Sequence, residues 1–431
     1  MIVMLLLAAV LIIGIAIAVP ISYSIAVSGA FYLLVESTLP VLVIAQRMVV
    51  GVDSFTLLAI PLFLLAGALM AEGDITPRIM RFASSMVGHI RGGMAMVMVV
   101  SCMFFGAISG SGVADVAAIG SIMLPAMKGQ SYKPAFSASL LGCGGALATI
   151  IPPSIVMVVL GVTMGASIGK LFIAGFIPGI LSGGGLMLVS YYFAKKENYP
   201  RLPKADAREK WEAFKGAFLP MVTPAIIIVG ILEGIFTATE AGAVAAFYAL
   251  ILSKYVYKKL SWRRFFEICL EVGKTSAVVL FIISAASLFG WVLTSQNIPQ
   301  KIAEVILGIS DNYWAVLIFF NLLLLILGTF METTAIILII IPIFMPIMTQ
   351  IGVDPIHLGV MVCVNMAIGA NTPPLGVDLM TACKVADIPY EDSFRYIPYF
   401  LTSMFIVLVL VIIFPGLSTW LPNMLVTSAG A

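Results

Sequence analysis

What most constrains this 431-residue chain is an almost unbroken succession of apolar stretches. Many are close to the roughly 20 residues that a helix needs to cross a bilayer. They fall at about 2–19, 21–47, 53–72, 93–127, 134–163, 168–194, 217–236, 239–257, 271–296, 313–350, 358–384 and 393–415. In hydrocarbon every backbone N–H and C=O must find its partner inside the protein, and segments of this length do so as α-helices. Charged residues make up only 10% of the chain, against roughly 25% in soluble domains. Soluble enzymes, nucleic-acid-binding proteins and disordered scaffolds are thereby excluded, and the lipid bilayer is the solvent. Residues 2–19 have no basic leading segment and no small-residue cleavage site, and more spans follow at once, so they read as the first membrane helix rather than a signal peptide.

Two stretches are too long for one crossing and are interrupted near the middle. The stretch 93–127 breaks at Ser109-Gly110-Ser111-Gly112, and 313–350 breaks around Gly328–Thr334. Each is expected to form a re-entrant hairpin of two short helices, since irregular backbone at membrane depth survives only where protein surrounds it or it lines a cavity. Basic residues test this topology because they collect in cytoplasmic loops. With both hairpins in place, all Lys and Arg but Arg47, Lys170 and Lys301 fall on one side. That places both termini on the outer face.

The polar segment 195–216 divides the chain into halves that resemble each other. Gly106 pairs with Gly328, Pro125 with Pro346, Pro152-Pro153 with Pro373-Pro374, and Pro178 with Pro398, at offsets of 222, 221, 221 and 220 residues. Each half (1–194 and 217–431, joined by the cytoplasmic linker 195–216) holds five crossings, one hairpin and one broken helix. The broken helices are 134–163 and 358–384. An odd number of crossings turns the second half upside down. The expected fold is an all-α polytopic membrane protein of two inverted repeats, an arrangement many secondary transporters use to place a site where the repeats meet.

The interruptions carry the candidate chemistry. Gly110 and Gly112 permit left-handed backbone and close approach. Ser109 and Ser111 offer hydroxyls, and Ser111 is placed to cap the helix that starts near Val113. That helix start presents free N–H groups suited to an anion. Pro152 and Pro153 donate no hydrogen bond, so the carbonyls of Ala148 and Thr149 lose their helical partners. Free carbonyls at mid-membrane are ligands for a small hard cation such as Na⁺. The second half repeats the pair with different side chains: Thr333 and Thr334 at its tip, and Asn371 and Thr372 before Pro373-Pro374. Asp115, Glu332 and Asp378 lie just past three breaks, where they cap helices, pair with cations or titrate.

Other residues point nowhere in particular. The five cysteines are single residues in apolar segments, and two histidines, His89 and His357, are too few for a metal site and read as interfacial. Trp211 in the linker fits an amphipathic helix lying on the inner surface.

At Ile108-Ser-Gly-Ser-Gly-Val-Ala-Asp115, Ile150-Ile-Pro-Pro-Ser154 and Gly369-Ala-Asn-Thr-Pro-Pro374 the chain resembles the large membrane subunit of tripartite ATP-independent periplasmic (TRAP) transporters over nearly its whole length. The resemblance implies an elevator-type transporter in the bacterial inner membrane, with periplasmic termini and Na⁺ as coupling ion. It also implies a small four-helix membrane subunit, here a separate chain, and a periplasmic binding protein that delivers an organic acid. By position, a first sodium site would use Gly106, Ser109, Ala148, Ile151 and Pro153. A second would use Gly328, Thr333 or Thr334, Gly369 and Thr372. The solute would meet Ser109, Gly110 and Ser111 at one tip, and Thr334, Asn371 and Thr372 in the other half.

Three readings of function follow. The first is a sodium-coupled importer of an organic carboxylate such as a C4-dicarboxylate or sialic acid; with no Lys or Arg near either break, bound cations must offset the anion. The second couples transport to protons through Asp115, Glu332 or Asp378. The third is an intramembrane hydrolase using Ser109 or Ser111, which the absence of a nearby base argues against. No enzyme activity and no resident cofactor are expected.

Overall fold

A computed structural model describes residues 2–17, 19–35, 39–309 and 312–425. It is all-helical among these residues. The opening run forms α1 (Ile2–Ala16), α2 (Ile21–Val35) and α3 (Leu42–Val52). The expected single span 21–47 is therefore two helices: Pro40 cannot continue a helical hydrogen-bond ladder, and α3 packs separately on a later helix. A short 3₁₀ turn leads into α4 (Ala59–Glu72). Next comes α5 (Ile75–Val87), whose Ile75, Ile79 and Ala83 are buried while Arg81 faces outward and the half-buried Arg78 lies 4.2 Å from the Tyr257 ring centroid. This amphipathic helix lies within what the sequence gives only as a basic loop.

The first hairpin is α6 (Gly93–Ser109) and α7 (Gly112–Gly129). The first broken helix is α8 (Pro134–Gly145), a 3₁₀ turn at Ala146–Thr149, the diproline, and α9 (Ile155–Met164). The half closes with α10 (Ile168–Lys196). Of the polar segment 195–216, only the stretch 197–206 is non-helical, because Asp206 and Glu209 form a reciprocal capping box that starts α11 (Ala207–Leu232). Trp211 thus sits on the first turns of a spanning helix rather than on a separate surface helix; it stacks on Phe214 and carries Lys215 5.3 Å from its ring centroid.

The second half runs α12 (Ala238–Ile251), α13 (Trp262–Ser295) and α14 (Ile298–Ile309), then its hairpin α15 (Tyr313–Gly328) and α16 (Thr333–Gln350). Its broken helix is α17 (Pro355–Gly369) and α18 (Val377–Ala386), followed by α19 (Ile397–Ile413) and α20 (Gly416–Leu425). Among the described residues five helices are long and apolar enough to cross a membrane alone, and α6, α9, α15 and α17 are shorter apolar pieces. That division follows from the interruptions: a broken helix reaches across only as a pair.

The packing interleaves the halves. α18 lies on α7 and α8, while α9 lies on α16, so the far part of each broken helix seats against the other half's hairpin. Around this body, α4 packs on α12, and α13 packs on α2, α3 and α4. Arg264 of α13 bonds Glu72 of α4 at 3.2 Å and Glu271 at 3.1 Å, fixing the charged ends of these two helices. His357 departs from the interfacial placement expected of it. It is buried, with Nδ1 2.7 Å from Ser418 Oγ, because α20 turns 64° from α19 and covers it.

Candidate functional site

The first interruption is a tight turn. Gly110 has φ +62°, which a residue without Cβ adopts at no steric cost, and its N–H closes on Gly106 O at 2.9 Å. Ser111 is extended at the N-cap position of α7, yet its hydroxyl makes no capping bond there. Instead the Ser111 N–H donates to Ser109 Oγ at 3.2 Å, and Ser109 Oγ donates to the Asp115 carboxylate. Asp115 is fully buried and its second oxygen has no partner among the described residues.

This tip rests on the first broken helix. The Ile155 N–H donates to Gly110 O at 3.3 Å, and a Cβ on Gly106 would stand 3.0 Å from Ala148 Cα. Ser154 Oγ donates to the Thr149 carbonyl at 3.0 Å, whereas no backbone N–H past the diproline donates to the Ala148 carbonyl among the described residues. The Ile151 N–H, the neighbour that could have reached it, goes to Leu147 O at 2.7 Å.

The second unit has the same plan. The Leu375 N–H, just past Pro373-Pro374, donates to Thr329 O of the second tip at 3.1 Å. Gly328 and Gly369 meet backbone to backbone: a Cβ on either would stand 3.0 or 2.9 Å from the other's Cα. Side chains do more here. Glu332 is the N-cap of α16, accepting from Ala335 N at 3.2 Å and from Thr334 Oγ1 at 2.8 Å. Thr372 Oγ1 donates to Ile368 O at 2.7 Å, and Asn371 Nδ2 to Ala367 O at 3.1 Å. Asn371 Oδ1 has no partner among the described residues. Asp378, in the first turn of α18, reaches across to the first half, where its carboxylate lies beside Gly112.

Both tips open onto one cavity of about 550 Å³. Ser109, Gly110, Ser111 and Gly112 line it from the first half; Gly328, Glu332, Thr333, Thr334 and Asp378 line it from the second. The opposite wall is Leu64, Gly67, Ala68 and Ala71 of α4 with Glu271, Val272, Thr275 and Val279 of α13. Glu271, with a side chain 63% exposed, marks the end that meets solvent. None of the lining residues is Lys, Arg or His.

Of the residues the sequence singles out, the cavity thus gathers Ser109, Gly110, Ser111, Thr334, Gly328 and Thr333. Gly106, Ala148, Pro153, Gly369 and Thr372 sit behind the tips at the two tip-on-break contacts, and Asn371 is buried between α18 and Gly142. The Ile151 side chain lines, with Pro152, an apolar cavity of about 640 Å³ against α6, α10 and α11, and the group the resemblance assigns to an ion there is its backbone carbonyl. The α4 and α13 wall is not foreseen from sequence. Its one signal is a run of small residues in α4: a Cβ on Gly67 would stand 2.8 Å from Ser109 Cα.

Residues 8–417 match the profile of the tripartite ATP-independent periplasmic transporter, DctM component. The chain belongs to this family. It is 40% identical over 405 residues to the sialic acid TRAP transporter large permease protein SiaM of Vibrio cholerae, covering 94% of this chain and 95% of that one. It is 42% identical over 402 residues to the C4-dicarboxylate TRAP transporter large permease protein DctM of Pseudomonas aeruginosa, covering 93% and 94%. The YdaH transporter of Alcanivorax borkumensis has the same fold, with a TM-score of 0.60 at 12% identity over 86% of this chain and 87% of that one. As a TRAP large permease the protein is a membrane transport component and not an enzyme. The hydrolase reading falls with that assignment.

Proposed function

We propose that this permease is the sodium-coupled, solute-carrying subunit of an importer for an organic acid. The observation that carries the reading is the single cavity between two interrupted hairpins, rich in hydroxyls and helix-start N–H groups and devoid of basic side chains. A carboxylate fits the free N–H groups at the start of α7 and the hydroxyls of Ser109, Ser111 and Thr334. Its charge needs a counter-ion, and Na⁺ held behind the tips supplies one. The Ala148 carbonyl with Ser109 and Gly106, and the Gly328–Gly369 contact with Thr372 and Thr333, are the oxygen-bearing places for two ions.

Ion binding orders each tip on its broken helix, and an ordered tip completes the solute site, so each ligand raises the other's affinity by the same factor. The tips and broken helices then move as one elevator body along α4 and α13, where Gly67, Ala68 and Ala71 of α4 offer little to catch on. Proton coupling through Asp115 or Glu332 has less support, since Asp115 holds Ser109 and Glu332 caps α16, which leaves Asp378 as the acid for that alternative. A small membrane subunit and a periplasmic binding protein complete the system in the inner membrane, and sialic acid and C4-dicarboxylates, carried by the relatives, head the candidate cargo. Reconstitution of the three components tests this. Uptake of a radiolabelled acid is expected with sodium and its binding protein, and lost in Ser111→Ala/Thr334→Ala. Uptake unchanged by that double substitution contradicts the site.

A further inference from the structure

Every charged side chain that lines the cavity is acidic: Glu271 at its mouth, and Glu332 and Asp378 at its inner end. The three are not equivalent. Glu271 is matched by Arg264, and Glu332 by the N-terminus of α16 and the Thr334 hydroxyl. Asp378 is only 3% exposed, lines the cavity, and its carboxylate has no hydrogen bond or ion pair among the described residues. Its oxygens stand 2.6 and 3.0 Å from where a Cβ on Gly112 would lie, at the solute face of the first tip.

An ionised carboxylate taken out of water without a partner is costly. The sodium ions of the proposed mechanism sit behind the tips and are already opposed by the solute's own carboxylate. A dicarboxylate would bring a second negative charge toward Asp378 and Glu332. A cationic nitrogen would instead meet an unsatisfied acceptor within the same cavity.

We propose that the solute of this permease is a zwitterion, with a carboxylate or sulfonate held at the hairpin tips and a protonated nitrogen held by Asp378, with Glu332 beside it. The proposal rests on the cavity being the solute site, and sets a zwitterion in place of the dicarboxylate and sialic acid cargo of the relatives. The hydroxyls and N–H groups of the two tips take the anionic group, and Asp378, which stands beside Gly112 at the start of α7, takes the ammonium, so the two charges of the solute are held close together. Charge-assisted hydrogen bonds of this kind are the strong ones, and they discriminate sharply against an analogue of like charge.

Val113→Cys in a Cys269→Ser background gives a reporter, because Val113 lines the cavity and is 43% exposed. The full chain in proteoliposomes with saturating sodium is labelled with a membrane-permeant maleimide. Linear ω-amino acids of three to six carbons compete against the diacids of equal length. The amino acids are expected to protect at concentrations at least about tenfold lower than the diacids. Asp378→Asn is expected to bring the two within about twofold, and Asp378→Glu to keep the preference. Glu332→Gln, which retains a capping oxygen, is expected to weaken it partly, and serves if Asp378→Asn does not reach the membrane. Equal protection, or better protection by diacids, overturns this inference while leaving the cavity as solute site. No protection by either series overturns both.

Discussion

The two interruption units share a plan and divide the chemistry differently. In each, the N–H just past a diproline is donated to a carbonyl of the hairpin tip, and the tip meets the broken helix at nearly bare backbone. The first unit turns on Gly110 and works through backbone and two serines. The second has a longer tip whose helix needs Glu332 as a cap, and it adds Thr372, Asn371 and Asp378. The two units therefore share their backbone contacts, while their side chains differ in the polar groups they bring to them.

That contrast can be broken where it is tightest. Gly369→Val places its Cβ against Gly328 backbone at 2.9 Å, where nothing flexible can yield. It is expected to destabilise the second unit by about 1–3 kcal/mol and to abolish uptake, read by fluorescence size-exclusion melting and transport. Gly184→Ala, with open space around it, is the matched control and is expected to be silent. In the first unit, Gly110→Ala meets both a left-handed φ and the Pro153 carbonyl at 2.9 Å, at a cost of roughly 1–2 kcal/mol. Uptake is expected to fall by roughly 5- to 30-fold, at about 1.4 kcal/mol per decade.

Smaller changes sharpen the difference. Ser109→Ala removes the hydroxyl between the Ser111 N–H and Asp115. It is expected to raise the sodium concentration for half-maximal uptake about tenfold with little change in melting temperature, since one polar contact of this kind is about 1–2 kcal/mol. Glu332→Ala is expected to cost about 1 kcal/mol of stability through the lost cap, and Glu332→Gln to restore most of it.

Outside the membrane-spanning body, Lys133 pairs with Glu197 and holds its carboxyl below the usual carboxylate range. A depressed value means the stabilisation is present above the unfolded carboxylate's titration and is lost as pH falls through the folded one. The melting deficit of Glu197→Gln is accordingly expected to be slight at neutral pH and to vanish in acid.

Much of this arrangement is readable before any coordinates. Pro152-Pro153, Pro373-Pro374, Gly106 and Gly328 announce it because proline and glycine act on their own backbone, and their spacing survives in the chain. The amphipathic α5, the division of 21–47 and the wall formed by α4 and α13 do not, because each depends on which distant helix lies alongside. Asn371 and Asp378 show the limit within the site itself. Seven residues apart around one diproline, they separate into a buried contact with Gly142 and a cavity-lining acid, a distinction made by packing between the two halves.

The central claim is that oxygens released at these interruptions bind the ion that drives transport. The direct measurement is uptake by the reconstituted three-component system under one gradient at a time. A sodium gradient without a proton gradient is expected to concentrate the solute, and a proton gradient in sodium-free buffer to give none. Full uptake in the second condition would contradict the account.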